Sequence, residues 1–191
     1  MKIINVEVFN FKELSEEAQK HAIKNEQNSE YTAEEFDIWI LDDWAKKLEG
    51  LGYNEAKILY SGFGSQGDGA CFTCSVDIEK IAKRLKFSLE EIKLLEEAEA
   101  GGVIEHHYRY YFSRSTTVEV QGNGLNDKVV EKLESAIEQD REELGDKIYK
   151  DLYTAYYNAL SDETIRENLE TDDGANDYTE KGNIFINPSE K

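Results

Sequence analysis

Ser61-Gly62-Phe63-Gly64-Ser65-Gln66-Gly67-Asp68-Gly69-Ala70-Cys71-Phe72 sets four glycines among twelve residues that carry almost no long side chain. Glycine loses more conformational freedom on folding than any other residue and admits close backbone approach. A cluster of this kind therefore marks tight turns or near contacts that the fold requires. On both sides of it the apolar period is two. Ile58, Tyr60 and Gly62 share one face and Leu59, Ser61 and Phe63 the other; afterwards Ala70, Phe72, Cys74 and Val76 alternate with Cys71, Thr73 and Ser75. Two strands with a short glycine-rich connection make a β-hairpin, with its loop near residues 64–69.

Working outward, the pattern predicts a second hairpin over residues 103–120. In it Ile104, His106, Tyr108, Tyr110 and Phe112 share one face, and Val103, Glu105, His107, Arg109 and Tyr111 the other, with the turn at Ser113-Arg114. Between the hairpins lie two short helices, over 77–85 and from Ser88 to Ala98. Ser88 and Glu91 form a capping box, and Gly101-Gly102 is expected to stop the second helix. Upstream, the β-branched run 3–9 predicts a first strand at a sheet edge. Ser15 followed by Glu16 and Glu17 predicts a helix that fades by Asn28. A further helix is expected to begin at Thr32, capped with Glu35, its stripe running through Phe36, Ile40, Trp44 and Leu48 to the stop at Gly50 and Gly52. Downstream, Val130, Leu133, Ile137, Leu144, Ile148, Leu152, Tyr156 and Leu160 keep helical spacing, so one long C-terminal helix spans 126–160. A short helix from Ser161 to a stop at Asp172-Asp173-Gly174 and a terminal strand or hairpin over 176–186 complete the chain, with Pro188 beyond. The expected fold is α+β: an antiparallel sheet of four to five strands packed with helices, in a single domain over residues 1–191.

Acidic residues outnumber basic ones 41 to 22, a net charge of −19. Such a field repels nucleic acid phosphates and anionic lipid and favours a basic protein partner, so neither direct nucleic acid binding nor membrane binding is expected. The glycine loop lies in the least acidic third: residues 51–125 carry 11 acids and 8 bases, against 12 and 6 before them and 18 and 8 after. No apolar run is long enough to span a bilayer, the start lacks the apolar block of a secretory signal, and two cysteines fit a reducing compartment. A cytoplasmic protein is expected.

The chemistry-bearing residues are few. Cys71 and Cys74 have C-x-x-C spacing, but a structural zinc site needs two more converging ligands and no second pair exists. In a strand the adjacent His106 and His107 point to opposite faces and cannot share an ion. Neither metal nor cofactor is expected. A nucleophilic set would have to join Ser65 or Cys71 to His106 or His107 and Asp68 across the two hairpins, so no catalytic residue is assigned. A phosphate loop opens a helix and keeps a basic residue nearby, whereas this loop opens a strand and holds Asp68. Two readings of the loop remain: Ser65, Gln66 and Asp68 bind a partner or small ligand, or their side chains bond back to the loop amides and shape the turn. Arg109 and Tyr111, with His107 beside them, are the surface candidates of the second hairpin, since tyrosine and arginine supply much of the energy at interfaces. Tyr108, Tyr110 and Phe112 are expected in the core.

The run Ser61-Gly62-Phe63, then Ser65-Gln66-Gly67-Asp68-Gly69-Ala70-Cys71-Phe72, resembles a family of uncharacterised proteins common in phages and prophages, some labelled antitoxins of a toxin–antitoxin stability system. Leu14-Ser15-Glu16-Glu17-Ala18, His107-Tyr108, Leu160-Ser161-Asp162-Glu163, Asn176-Asp177-Tyr178 and Thr179-Glu180-Lys181-Gly182 follow the same order. Relatives often carry an aromatic residue where this chain has Gly64. The resemblance implies a phage-encoded protein at work in the host cytoplasm. With the charge, it points to an accessory protein that binds and inhibits a host protein, such as a nucleic-acid-handling defence component in the anti-CRISPR manner or by nucleic-acid mimicry. The alternatives are a small-ligand binder or enzyme built around residues 61–72, and an antitoxin. A homodimer through the long helix is a further expectation.

Overall fold

The structure, a computed structural model, describes residues 6–29, 36–171 and 176–186. Its contacts gather into two compact units, Met1–Asp37 with Thr154–Lys191, and Ile38–Tyr153.

In the first unit Asn10 and Glu13 form a capping box around a single 3-10 turn, Phe11–Glu13. Ser15 then accepts the Ala18 N–H at 3.3 Å and opens α1 (Glu16–Gln27), which ends at Asn28 as its spacing predicts. Of the strand expected over 3–9, residues 3–5 lie outside the described residues, and 6–9 hold a single isolated bridge. Phe9 alone pairs, exchanging backbone hydrogen bonds of 2.9 and 2.8 Å with Tyr178. The turn at Asn10 breaks the extended run after that one pair and drops Phe11 and Leu14 into a core with Ala18, Ala22, Ile23, Ile165 and Tyr178. Tyr178 also bridges Ile184, so residues 176–186 hold isolated bridges in place of a full hairpin. The capping box at Thr32, the stop at 172–174 and Pro188 lie outside the described residues.

The second unit begins with α2 (Ile38–Leu51), which buries Trp44 and Leu48 and leaves Trp39 exposed. Gly52, at φ +101°, turns the chain into β1 (Tyr53–Tyr60); a β-carbon there would lie 2.9 Å from the Ile81 side chain. β2 (Ala70–Val76), β3 (Gly101–His106) and β4 (Thr116–Gln121) complete a four-stranded antiparallel sheet in the order β1-β2-β3-β4. The two hairpins lie side by side through Cys74 opposite Ile104 and Val76 opposite Gly102. In chain order α3 (Ile78–Arg84) and α4 (Leu89–Glu97) connect the two hairpins, and Ser88 with Glu91 forms the capping box that the sequence predicts.

Two local expectations are corrected. α4 stops at Ala98, followed by Glu99 at φ +49°, while Gly101 and Gly102 open β3. Gly102 serves the sheet: a β-carbon on it would meet the Glu119 carbonyl at 3.2 Å and Val76 Cβ at 3.3 Å. β3 ends at His106 and does not run on to Phe112. Residues 107–112 leave the sheet as an irregular loop, closed by a 3-10 turn at Ser113–Ser115. Tyr108 and Tyr110, expected in the core, are 62% and 52% exposed.

α5 (Asp127–Ala159) is the long helix and continues from the second unit into the first, where α6 (Asp162–Thr171) follows it. Its apolar stripe of Leu133, Ile137, Leu144, Ile148 and Leu152 is buried. Polar side chains fasten it to the sheet unit. Glu134 accepts the Val120 N–H at 2.9 Å, and Lys132 reaches Glu91 at 2.6 Å. Arg84 pairs with Asp140 in two hydrogen bonds of 2.8 and 2.5 Å, and the Tyr53 hydroxyl donates to the same carboxylate at 2.6 Å. Burial works against the charge on Asp140, but the bonds from Arg84 and Tyr53 outweigh it and hold its carboxyl below the usual range. Among the described residues no helix is long and apolar enough to cross a membrane.

Candidate functional site

The glycine loop is closed by its own carboxylate. Asp68 accepts the Gly64 N–H at 2.8 Å and the Ser65 N–H at 2.5 Å, while its own N–H donates to the Ser65 carbonyl at 3.2 Å. Ser61 N–H to Gly69 carbonyl at 3.1 Å fastens the root. A carboxylate that takes two successive amides from three and four residues earlier in the chain closes the loop on itself and stabilises the turn. Ser65 and Gln66 project from this turn into solvent, and neither side chain makes a hydrogen bond back to the loop among the described residues.

The other glycines let a second loop approach. A β-carbon at Gly69 would sit 2.9 Å from Phe112 Cβ and 3.2 Å from both Phe112 Cα and the Tyr111 carbonyl. Gly67, at φ +106°, faces the Tyr110 ring, with 3.5 Å from the position of its missing β-carbon to Cδ1. Loop 61–69 and loop 107–115 are thus packed on each other. On the second loop His106 Nε2 lies 3.0 Å from the Tyr110 carbonyl, the His106 and Tyr111 rings are 5.2 Å apart, and Tyr110 stacks on Phe112 at 6.1 Å. The His107 N–H donates to the Ser115 carbonyl at 3.1 Å. Phe63, on the far side of the glycine loop, stacks between Tyr60 at 6.0 Å and Tyr149 of α5 at 5.7 Å, with Tyr153 edge-on at 6.1 Å. The Tyr149 hydroxyl donates to the Gly62 carbonyl at 3.2 Å.

Of the predicted residues, Ser65, Gln66, Arg109 and His107 are exposed, while Asp68 and Tyr111 are half-buried. Ser65, Gln66 and Asp68 share one loop, which the Gly67 and Gly69 contacts bring against the segment of Tyr111 and Arg109. His107 stands apart. It lies 3.8 Å from Glu105 and lines a shallow concavity of about 560 Å³ on the open sheet face with Lys57, Thr73 and Ser75. The nucleophile–histidine–acid set is therefore not assembled: Asp68 is occupied by the loop amides, and His107 lines a concavity that Asp68 does not reach. Burial pushes the Cys71 thiol up to about 11, against the opposing pull of Arg141, and burial alone pushes Cys74 up to about 12, so both are protonated and inert at neutral pH. Among the described residues no group of three or more His, Cys, Asp or Glu side chains is placed to hold a metal ion.

Sequence reasoning missed the exposure of Tyr108 and Tyr110 and the Phe63 cluster. For the cluster a signal existed, because Tyr149 and Tyr153 are four residues apart on α5 and so share a face. For the exposed tyrosines none did, since strict alternation from Val103 to Phe112 imitates a strand.

No curated protein and no solved structure matches the chain. The model of a domain of unknown function, DUF8835, matches residues 36–162, a span that contains the whole sheet unit and both loops, and the chain belongs to that family.

Proposed function

We propose that the chain is a phage-encoded accessory protein that binds and inhibits a host protein, and that loops 61–69 and 107–112 form its contact edge. One observation carries this reading: Tyr108 and Tyr110 stand 62% and 52% exposed, with Arg109 exposed between them, on a backbone buttressed by Gly67, Gly69 and His106. Exposed tyrosine and arginine on a held backbone lose little entropy on binding, which is the property of interface hot spots. Ser65 and Gln66 border the edge as adaptable polar contacts.

The partner offers a basic surface. Asp127, Glu131, Glu138, Glu142 and Asp146 are exposed and fall on one side of α5, adding a directed field to the net charge of −19. Such a field speeds encounter with a nucleic-acid-handling protein, be it a defence component or a toxin, and makes binding sensitive to salt.

The test uses host proteins enriched on DNA-cellulose and offered to the immobilised chain. The expected result is one retained species, released by salt, displaced by duplex DNA, and not retained by the triple variant Tyr108→Ala, Arg109→Ala, Tyr110→Ala. Retention that ignores salt and the triple variant alike would overturn the proposal.

A further inference from the structure

Between β4 and the outward side of α5 lies an open cavity of about 480 Å³, whose lining includes Arg114, Thr117, Glu138, Gln139, Arg141 and Glu142. Arg141 is 4% exposed, and among the described residues it is the one charged side chain buried to that degree. Its Nη1 donates to the Thr116 carbonyl at 3.1 Å and to the Thr116 hydroxyl, which fixes the guanidinium in the cavity wall. A buried charge costs free energy unless fixed charges or hydrogen bonds compensate it. Burial weakens the hold of Arg141 on its proton, while the neighbouring Glu138 and Glu142 sustain its charge. At the rim Arg114 has a largely exposed side chain, with Nε 3.8 Å from the Glu142 carboxylate.

Two guanidiniums and two carboxylates thus line one small space, with the Thr117 hydroxyl and the Gln139 amide among them. A simple anion entering it meets the repulsion of a protein of net charge −19, and a simple cation meets the fixed Arg141. A molecule with both charges a few ångströms apart satisfies each sign. We propose that this cavity binds a free α-amino acid, its carboxylate received by Arg141 and Arg114 and its ammonium by Glu138 and Glu142. Guanidinium suits the carboxylate because its planar fork presents paired donors. The Thr117 hydroxyl and the Gln139 amide supply neutral hydrogen bonds beside them. The cavity borders the partner-binding edge, since Tyr108 belongs to both and Glu138 and Glu142 also lie on the acidic side of α5, but it is read on the chain alone and stands whether or not that edge binds a protein.

The test is a titration of the full ¹⁵N-labelled chain with each common amino acid, followed by amide shifts. The expected result is saturable shifts centred on Thr117 and Gln139 for one or a few amino acids. Binding should weaken at least about tenfold for the N-acetyl form, which lacks the ammonium, and likewise for the amide form, which lacks the carboxylate. Glu138→Gln and Arg114→Met change exposed side chains and leave the Arg141–Thr116 clip in place. Each should weaken binding by a similar factor while the rest of the spectrum is unchanged. The proposal is overturned if no amino acid saturates the shifts below about 10 mM, or if the blocked forms bind as well as the parent.

Discussion

Asp68 accepts the backbone N–H of Ser65 at 2.5 Å and, with the same oxygen, that of Gly64 at 2.8 Å. The one acid of the glycine loop is therefore a turn-forming group. Asp68→Ala should lower stability by about 1–2 kcal/mol, because two amides lose a charged acceptor. Asp68→Asn, which keeps one carbonyl acceptor, should lose less. Thermal melts of the pair check this; an unchanged melting temperature in the alanine variant would return Asp68 to the list of free binding groups.

Gly64 and Gly69 should respond oppositely to a side chain. Nothing lies within 4 Å of a β-carbon built on Gly64, whereas one on Gly69 meets Phe112 and the Tyr111 carbonyl at 2.9–3.2 Å. Gly64→Ala and Gly64→Tyr should stay within about 0.5 kcal/mol of the parent. Gly69→Ala should cost about 1–3 kcal/mol, since backbone atoms must move to admit it. Urea midpoints at constant m-value would measure both.

Removal of either partner from the Arg84–Asp140 pair strands a poorly solvated charge, because the two side chains are only 26% and 15% exposed. Arg84→Met should destabilise by about 2–3 kcal/mol. The sign of the pH effect follows from the depressed carboxyl of Asp140: its contribution is present above the ordinary carboxylate range and is lost as pH falls. In Arg84→Met the Asp140 titration should move up, and acid unfolding should begin at higher pH. Carbon-detected NMR of the carboxyl, alongside melts from pH 7 downward, tests both halves.

Glu91 ties the α4 cap to α5. Hydrogen bonds from Lys132 and then Ser88 hold its carboxyl at about 2, against an ordinary value of 4.5. With the folded value depressed, its stabilisation is full above about 4.5 and disappears as pH falls towards about 2. Glu91→Gln should flatten the stability–pH curve in that window and leave its slope near neutrality unchanged. An acid limb that remains as steep in the variant would show that other carboxylates carry it.

Much of the fold was legible because its signals are local. Ser15, Ser88 with Glu91, the period-two runs around the glycine loop and the helical stripe from Val130 to Leu160 each act within a few residues, so chain order alone carries them. The expectation failed where a contact from far along the chain outweighed a local pattern. Alternation over 103–112 gave no sign that the chain leaves the sheet at His106, for what holds Tyr110 and Phe112 is Gly67 and Gly69, some forty residues away. Gly101-Gly102 resembled a helix stop because glycine suits that role, yet the requirement is the close approach of Val76 and Glu119.

What the chain order determined by itself is the class of fold, the hairpin at residues 61–72 and the long helix. Tertiary structure alone decided the rest: that Asp68 serves the turn, that Tyr108 and Tyr110 face solvent, and that Arg141 lies buried at the wall of a charged cavity. The physical reason is range. Propensity and capping act between neighbours in sequence, whereas desolvation, packing and the pairing of charges depend on neighbours in space.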